Sequence, residues 1–155
     1  MRAMGVDYGQ QRIGLALSDA SGMLARPWKT IRRVGNPSQV AQALAAEVQA
    51  LDAAGEGVSV LVLGYPRRLS GEASDQTAAV QQVADRLKPL MAIPVVLQDE
   101  RLSSHEAETL LAQRERDWRK RKAQLDAMSA AVILQDYLDA GGTGRPAART
   151  EDEDA

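Results

Sequence analysis

Apolar residues recur along this chain at two different spacings. Residues 2–8 and 11–18 alternate apolar with polar or small side chains, Ile13, Leu15 and Leu17 marking the second run, and a glycine-containing turn separates them. That period of two predicts a β-hairpin. Met23 to Ile31 can add a third strand, and Pro27 within it, having no N–H to give to a ladder, points to a sheet edge. The spacing then changes. Asn36-Pro37-Ser38-Gln39 reads as a helix start, with Asn36 as cap, Pro37 at the first helical position and Gln39 three residues past the cap. Val40, Leu44, Val48 and Leu51 fall on one face of that helix, and Gly55 and Gly57 end it.

Val58 to Leu63 is almost continuously apolar, as expected of a central parallel strand covered on both faces. A polar loop from Gly64 to Gly71 leads to a helix starting near Ser74, with Val80, Val83, Ala84 and Leu87 as its buried stripe. Ile93 to Gln98 is the next strand, and Asp99-Glu100-Arg101 stands at its C-terminal end. Ser103 and Glu106 make a capping box for a helix that buries Ala107, Leu110 and Leu111. A last helix runs from about Lys122 to Ala140, with Asp126, Ala130, Ile133 and Tyr137 on one narrow face and Gln135, Asp136 and Asp139 on the opposite, solvent side. An opening meander followed by alternating helices and strands predicts an α/β fold, a mixed sheet flanked by helices. Residues 1–140 form the one domain, and 141–155 a disordered acidic tail.

The composition, 45% hydrophobic and 26% charged, is that of an ordinary soluble domain, and its 155 residues can bury a substantial core. With no run of about 18 apolar residues and no signal-peptide pattern, a cytoplasmic protein without a membrane partner is expected. The absence of cysteine excludes disulfides, thiol nucleophiles and cysteine-ligated metals, and the single histidine, His105, excludes a multi-histidine site. Any metal must rest on carboxylates, which suit magnesium or manganese. The net charge of −2 misleads, because four acids are gathered at 151–154 and the rest of the chain carries +2.

Three acids invite attention. Asp7 sits near the end of the first strand between Gly5 and Gly9; the plainer explanation is a solvated carboxylate capping the turn. Asp99 and Glu100 end a later strand, where alternation sends their side chains to opposite faces, and the longer Glu100 is preferred as the one that reaches a site. Asp126 heads an apolar helix face; a first-turn acid favoured by the helix dipole is the alternative. Carboxylates converging at strand ends can bind divalent ions for phosphodiester hydrolysis, and that makes Asp7, Glu100, Asp126 and Asp99 the catalytic candidates. A serine triad would need His105, which lies at the start of a capped helix where exposure is expected. For a nucleic-acid partner, Arg12, Arg67, Arg68 and Arg101 are candidate phosphate contacts. So are Arg116, Arg119, Lys120, Arg121 and Lys122 in the basic run 114–122, where Trp118 can stack on a base. A solvated helix end explains that run equally simply, and a local salt bridge explains Arg101.

With these pieces in place, the chain resembles the YqgF/RuvX family of Holliday-junction-resolvase-like proteins. The motifs that carry the likeness are GVDYGQQRIGLALSD (5–19), LVLGYPRRLSGEAS (61–74), QDERLSSHEAETLL (98–111) and KAQLDAMSAAVILQDYLD (122–139). The resemblance implies an RNase H-like sheet of five strands, a three-strand antiparallel meander plus two parallel strands. It also implies an acidic site of Asp7, Glu100 and Asp126 holding Mg2+ or Mn2+. The function it implies is a nuclease, either for the 5′ end of pre-16S rRNA or for four-way junctions in DNA recombination and repair. Junction cutting would call for a homodimer, with two sites facing each other. Two other classes stay in view: a non-catalytic nucleic-acid-binding or ribosome-assembly module, and an actin-like phosphotransferase, whose second domain this length does not accommodate.

Overall fold

The computed structural model describes residues 2–9, 11–65, 75–99, 118–141 and 145–146. Five strands form where alternation and apolar runs predict them: β1 (Arg2–Tyr8), β2 (Arg12–Ser18), β3 (Ala25–Arg32), β4 (Val58–Tyr65) and β5 (Val95–Asp99). They lie in one sheet of order β3-β2-β1-β4-β5, to which a two-residue β6 (Arg145–Pro146) adds an outer strand. β1, β2 and β3 make the antiparallel meander, β4 and β5 run parallel to β1, and β6 is antiparallel to β5. The mixed five-stranded sheet expected from the sequence is thus present. Arg145–Pro146, within the stretch read as a tail, lies along its edge.

Helices α1 (Pro37–Ala53) and α2 (Asp75–Leu87) cover one face. Asn36 caps α1 as its sequence promises: its side chain accepts from the Gln39 N–H at 2.9 Å while the Gln39 side chain accepts from the Asn36 N–H at 2.8 Å. At the other end Gly55 takes φ +82°, which lets its N–H reach the Asp52 carbonyl and the Glu56 N–H reach that of Leu51. Val40, Leu44 and Val48 of α1 and Val80, Val83, Ala84 and Leu87 of α2 pack against Met4, Val6, Ile13, Leu15, Leu61 and Leu63. β4 is buried on both faces because Val62 joins the core on the far side.

That far side belongs to α3 (Trp118–Asp139), which crosses β1, β2 and β3. Ala127 to Leu134 is buried on every side of the helix, including Ser129. Two sequence expectations change here. The helix already includes Trp118, four residues before Lys122, so Asp126 lies at least two turns inside it and a first-turn dipole effect no longer accounts for an acid there. Gln135 does not face solvent freely. Its amide accepts from the Ala25 N–H at 2.9 Å and donates to the Met23 carbonyl at 3.0 Å, fastening the start of β3 to the helix. The helix expected after Ser103, with Ala107, Leu110 and Leu111, lies outside the described residues, as does His105. Among the described residues no helix is long and apolar enough to cross a membrane.

Gly5 and Gly14 set the depth of α3. A Cβ on Gly5 would stand 2.8 Å from both the Ala130 carbonyl and the Leu134 side chain, and one on Gly14 would fall on the backbone carbonyl of Asp126. Gly14→Ala should therefore lift α3 from the sheet and destabilise the fold by about 1–3 kcal/mol, measurable by urea titration.

At the opposite end of β2, Asp19 accepts from the N–H groups of Met23 and Leu24 and from the Ser21 hydroxyl. The Met23 N–H is the largest of the causes that hold its carboxyl below the usual range. A lowered carboxyl stabilises above its ordinary titration range and loses that contribution as pH falls through the lowered value. Hydrogen exchange of the Met23 and Leu24 amides should accelerate over that acidic interval relative to the base trend, and Asp19→Asn should abolish the step.

Candidate active site

Alternation along β1 puts Ala3, Gly5 and Asp7 on the α3 face, since Ala3 joins the α3 core and Gly5 touches the helix itself. Met4, Val6 and Tyr8 point the other way. Asp7 is half-buried and pairs in register with Gly14 of β2. Because Gly14 is also where the backbone of Asp126 comes down onto the sheet, these two acids, 119 positions apart in sequence, lie on either side of one glycine. They stand at the C-terminal end of β1, which is also the end of β4 and β5 where Tyr65 pairs with Asp99.

Arg12 completes the group. It starts β2 two residues before Gly14, so it shares the α3 face, and its Nε donates to Asp126 Oδ2 at 2.9 Å. The Arg12 side chain is 46% exposed and that of Asp126 23%, so water screens the pair and it contributes no more than about 1 kcal/mol. The turn that presents Arg12 is tightly held. The Gly9 N–H donates to the Arg12 carbonyl at 3.0 Å, and a Cβ on Gly9 would stand 2.5 Å from that oxygen. Arg33 braces the same turn from β3's end, its Nη1 donating to the Gly9 carbonyl at 3.1 Å and its guanidinium lying 4.2 Å from the Tyr8 ring centre. Burial raises the Tyr8 phenol above its ordinary value, and the Arg33 charge offsets part of that.

The other candidates divide by location. Asp99 ends β5 in an exposed position and follows the alternation of Val95 and Leu97, which pack on the α1/α2 side, so it belongs to the opposite face from Asp7 and Asp126. Trp118, Arg119, Lys120, Arg121 and Lys122 open α3 as helix. Glu100, Arg67, Arg68, Arg101 and Arg116 lie outside the described residues. Among the described residues no three carboxylates or histidines gather to hold a metal ion. What the structure brings together is Asp7, Asp126 and Arg12, around Gly14. The sequence offered one sign of this that was not used: a glycine inside a strand, which often marks the close approach of another backbone.

Oxygen-only donors beside a half-exposed arginine suit a hard divalent cation and an anionic group alongside it. The profile of the family described as "RuvX: Holliday junction resolvase" matches residues 1–140. A relative from Roseiflexus sp. (strain RS-1), named "Putative pre-16S rRNA nuclease", is 38% identical over 140 residues, covering 89% of this chain and 94% of its own. A Nocardioides sp. (strain ATCC BAA-499 / JS614) protein of the same name is 42% identical over 140 residues, covering 88% of this chain and 86% of its own. Among solved structures, Thermus thermophilus RuvC in complex with a Holliday junction substrate superimposes with a TM-score of 0.52 at 15% identity, covering 94% of this chain and 99% of that one. At that identity the likeness is one of fold, and the fold is the RNase H-like one. On the match across residues 1–140 and the identity to these relatives, the chain belongs to the RuvX family.

Proposed function

We propose that this chain is a nuclease that hydrolyses phosphodiester bonds in structured nucleic acid with the help of Mg2+ or Mn2+, and that its substrate is the 5′ end of precursor 16S rRNA. The observation that carries the reading is the meeting of Asp7 and Asp126 across Gly14, on one face and at the C-terminal end of the strands. Carboxylates gathered on one face repel each other unless cations lie among them, and Asp126 already draws the Arg12 guanidinium to it. In this reading Asp7 and Asp126 hold the ion together with Glu100, the longer member of a pair whose Asp99 follows the opposite face. Bound there, a divalent ion supplies Lewis-acid polarisation of the phosphate and acidifies a water for in-line attack.

The protein's own groups do the rest. Asp7 and Asp126 would fix the position of the ion because α3 rests on Gly14 of β2, the rung partner of Asp7 in β1. Arg12 neutralises Asp126 through a solvent-screened pair, and its half-exposed guanidinium would offer its remaining N–H donors to a phosphate. Support for RNA as substrate comes from relatives near 40% identity that carry the rRNA-nuclease name, against 15% for the junction resolvase.

Purified full-length protein given Mn2+ should trim a precursor-rRNA fragment, and EDTA should stop it. Asp7→Asn, Glu100→Gln and Asp126→Asn should each reduce the rate by at least about a hundredfold, as loss of an ion ligand does, while thermal unfolding by circular dichroism stays cooperative. Full activity in all three would remove the site. A four-way DNA junction in parallel reactions separates the substrates: preferential cutting there, with a dimer in solution, would replace the RNA assignment. Binding of RNA with no metal-dependent cleavage would favour the assembly-module alternative.

A further inference from the structure

We infer that Arg12 and Arg32 form a paired-arginine seat for a backbone phosphate of the bound strand, immediately beside the two carboxylates; the assignment of that anion to nucleic acid rests on the nuclease reading above. Arg12 of β2 and Arg32 of β3 are direct partners in the antiparallel register. The Arg33 N–H donates to the Gln11 carbonyl at 3.0 Å on the next rung, which makes Arg12 and Arg32 a non-hydrogen-bonded pair, the kind whose side chains stand closest. Both project to the α3 face, because their neighbours Ile13 and Ile31 pack into the α1/α2 core. Like charges directly opposite on a sheet disfavour it, so two arginines abreast need anions.

The protein answers only one of the two. Arg12 is held by Asp126 at 2.9 Å, whereas Arg32 is exposed and has no carboxylate partner among the described residues. The other face of the same strand shows the contrast. There Lys29 is closed internally, bonded to Glu47 at 2.7 Å and lying 4.6 Å from the Trp28 ring centre. Of Lys29 and Arg32 the open one is therefore on the side of the acids, while Arg26, also exposed, lies at the far end of β3 opposite Leu17. A planar guanidinium pair of this kind grips a phosphate through several N–H donors.

The test is binding of a fluorescent precursor-rRNA fragment in EDTA, so that no cleavage intervenes, across a salt series. Arg32→Gln should weaken binding several-fold at low salt and reduce the slope of log K against log salt by about 0.7–0.9, the loss of one phosphate contact. Arg32→Lys should keep the slope. Lys88→Gln, at the other end of the sheet before β5, should match wild type. Relief of the like-charge pair predicts a urea midpoint for Arg32→Gln at or above that of wild type; a fall would assign Arg32 to holding β3 and overturn the seat. An unchanged slope in Arg32→Gln overturns it too, and leaves the nuclease reading standing. Absence of metal-dependent cleavage by wild type, with the slope reduced as expected, does the reverse.

Discussion

The spacing between α3 and the sheet is the constraint on which the rest of this structure depends. A helix carrying side chains of ordinary size on its underside, resting on strands that carry their own, stands about 10 Å off. Here Gly5 and Gly14 remove the strand side chains, and Ala127, Ala130 and Ala131 keep the helix underside small, so the two backbones approach at Ala130 and at Asp126. That closeness is what allows an aspartate, with its short side chain, to meet Arg12 of the sheet from a helix. The same contact fixes the angle of α3 and buries Ala127 to Leu134 around the helix's full circumference. The glycine that receives the helix backbone at Asp126 is also the rung partner of Asp7.

The sequence disclosed most of this scaffold because the scaffold obeys local rules. The hairpin, the capped start of α1, the doubly buried β4 and the stripe of α2 each announce themselves within a dozen residues. What escaped was non-local or unpatterned. Residues 118–121 are polar apart from Trp118, so no apolar spacing marks the first turn of α3, although arginine and lysine are good helix formers. Arg145–Pro146 is too short to show any period. Gln135 looked like a solvent residue because helical spacing set it opposite the face of Asp126, Ala130 and Ile133, yet amide side chains can satisfy a strand's backbone groups, as this one does for Met23 and Ala25. Arg12 and Asp126 are separated by 114 residues, and no spacing rule links them.

The candidate site was readable in its parts and not in its assembly. Asp7 and Asp126 stood out as acids where burial is expensive, and that logic holds: each lies partly buried on the α3 face. Alternation had already divided Asp99 from its neighbour, and Asp99 does follow the α1/α2 face. The role of Gly14 was hidden because period-two alternation treats a glycine simply as a small residue. Only the helix above it shows why nothing larger fits.

Charge arranged by strand, rather than summed over the chain, joins the fold to the chemistry. β3 is a sheet edge, and an exposed edge invites another strand to add to it. Pro27 withholds an N–H there, and the register shift that pairs Leu15 with Lys29 but Ala16 with Pro27 leaves Trp28 as a bulge. Arg26, Lys29 and Arg32 add exposed cations along the same eight residues. These features keep a second protein strand from docking. They also leave an open, positively charged border next to the acids, which a polyanion can approach without displacing any part of the core. An edge defended by lysine alone would serve the first purpose equally well. Arginine at position 32, opposite another arginine and level with Asp126, is explained only by the second.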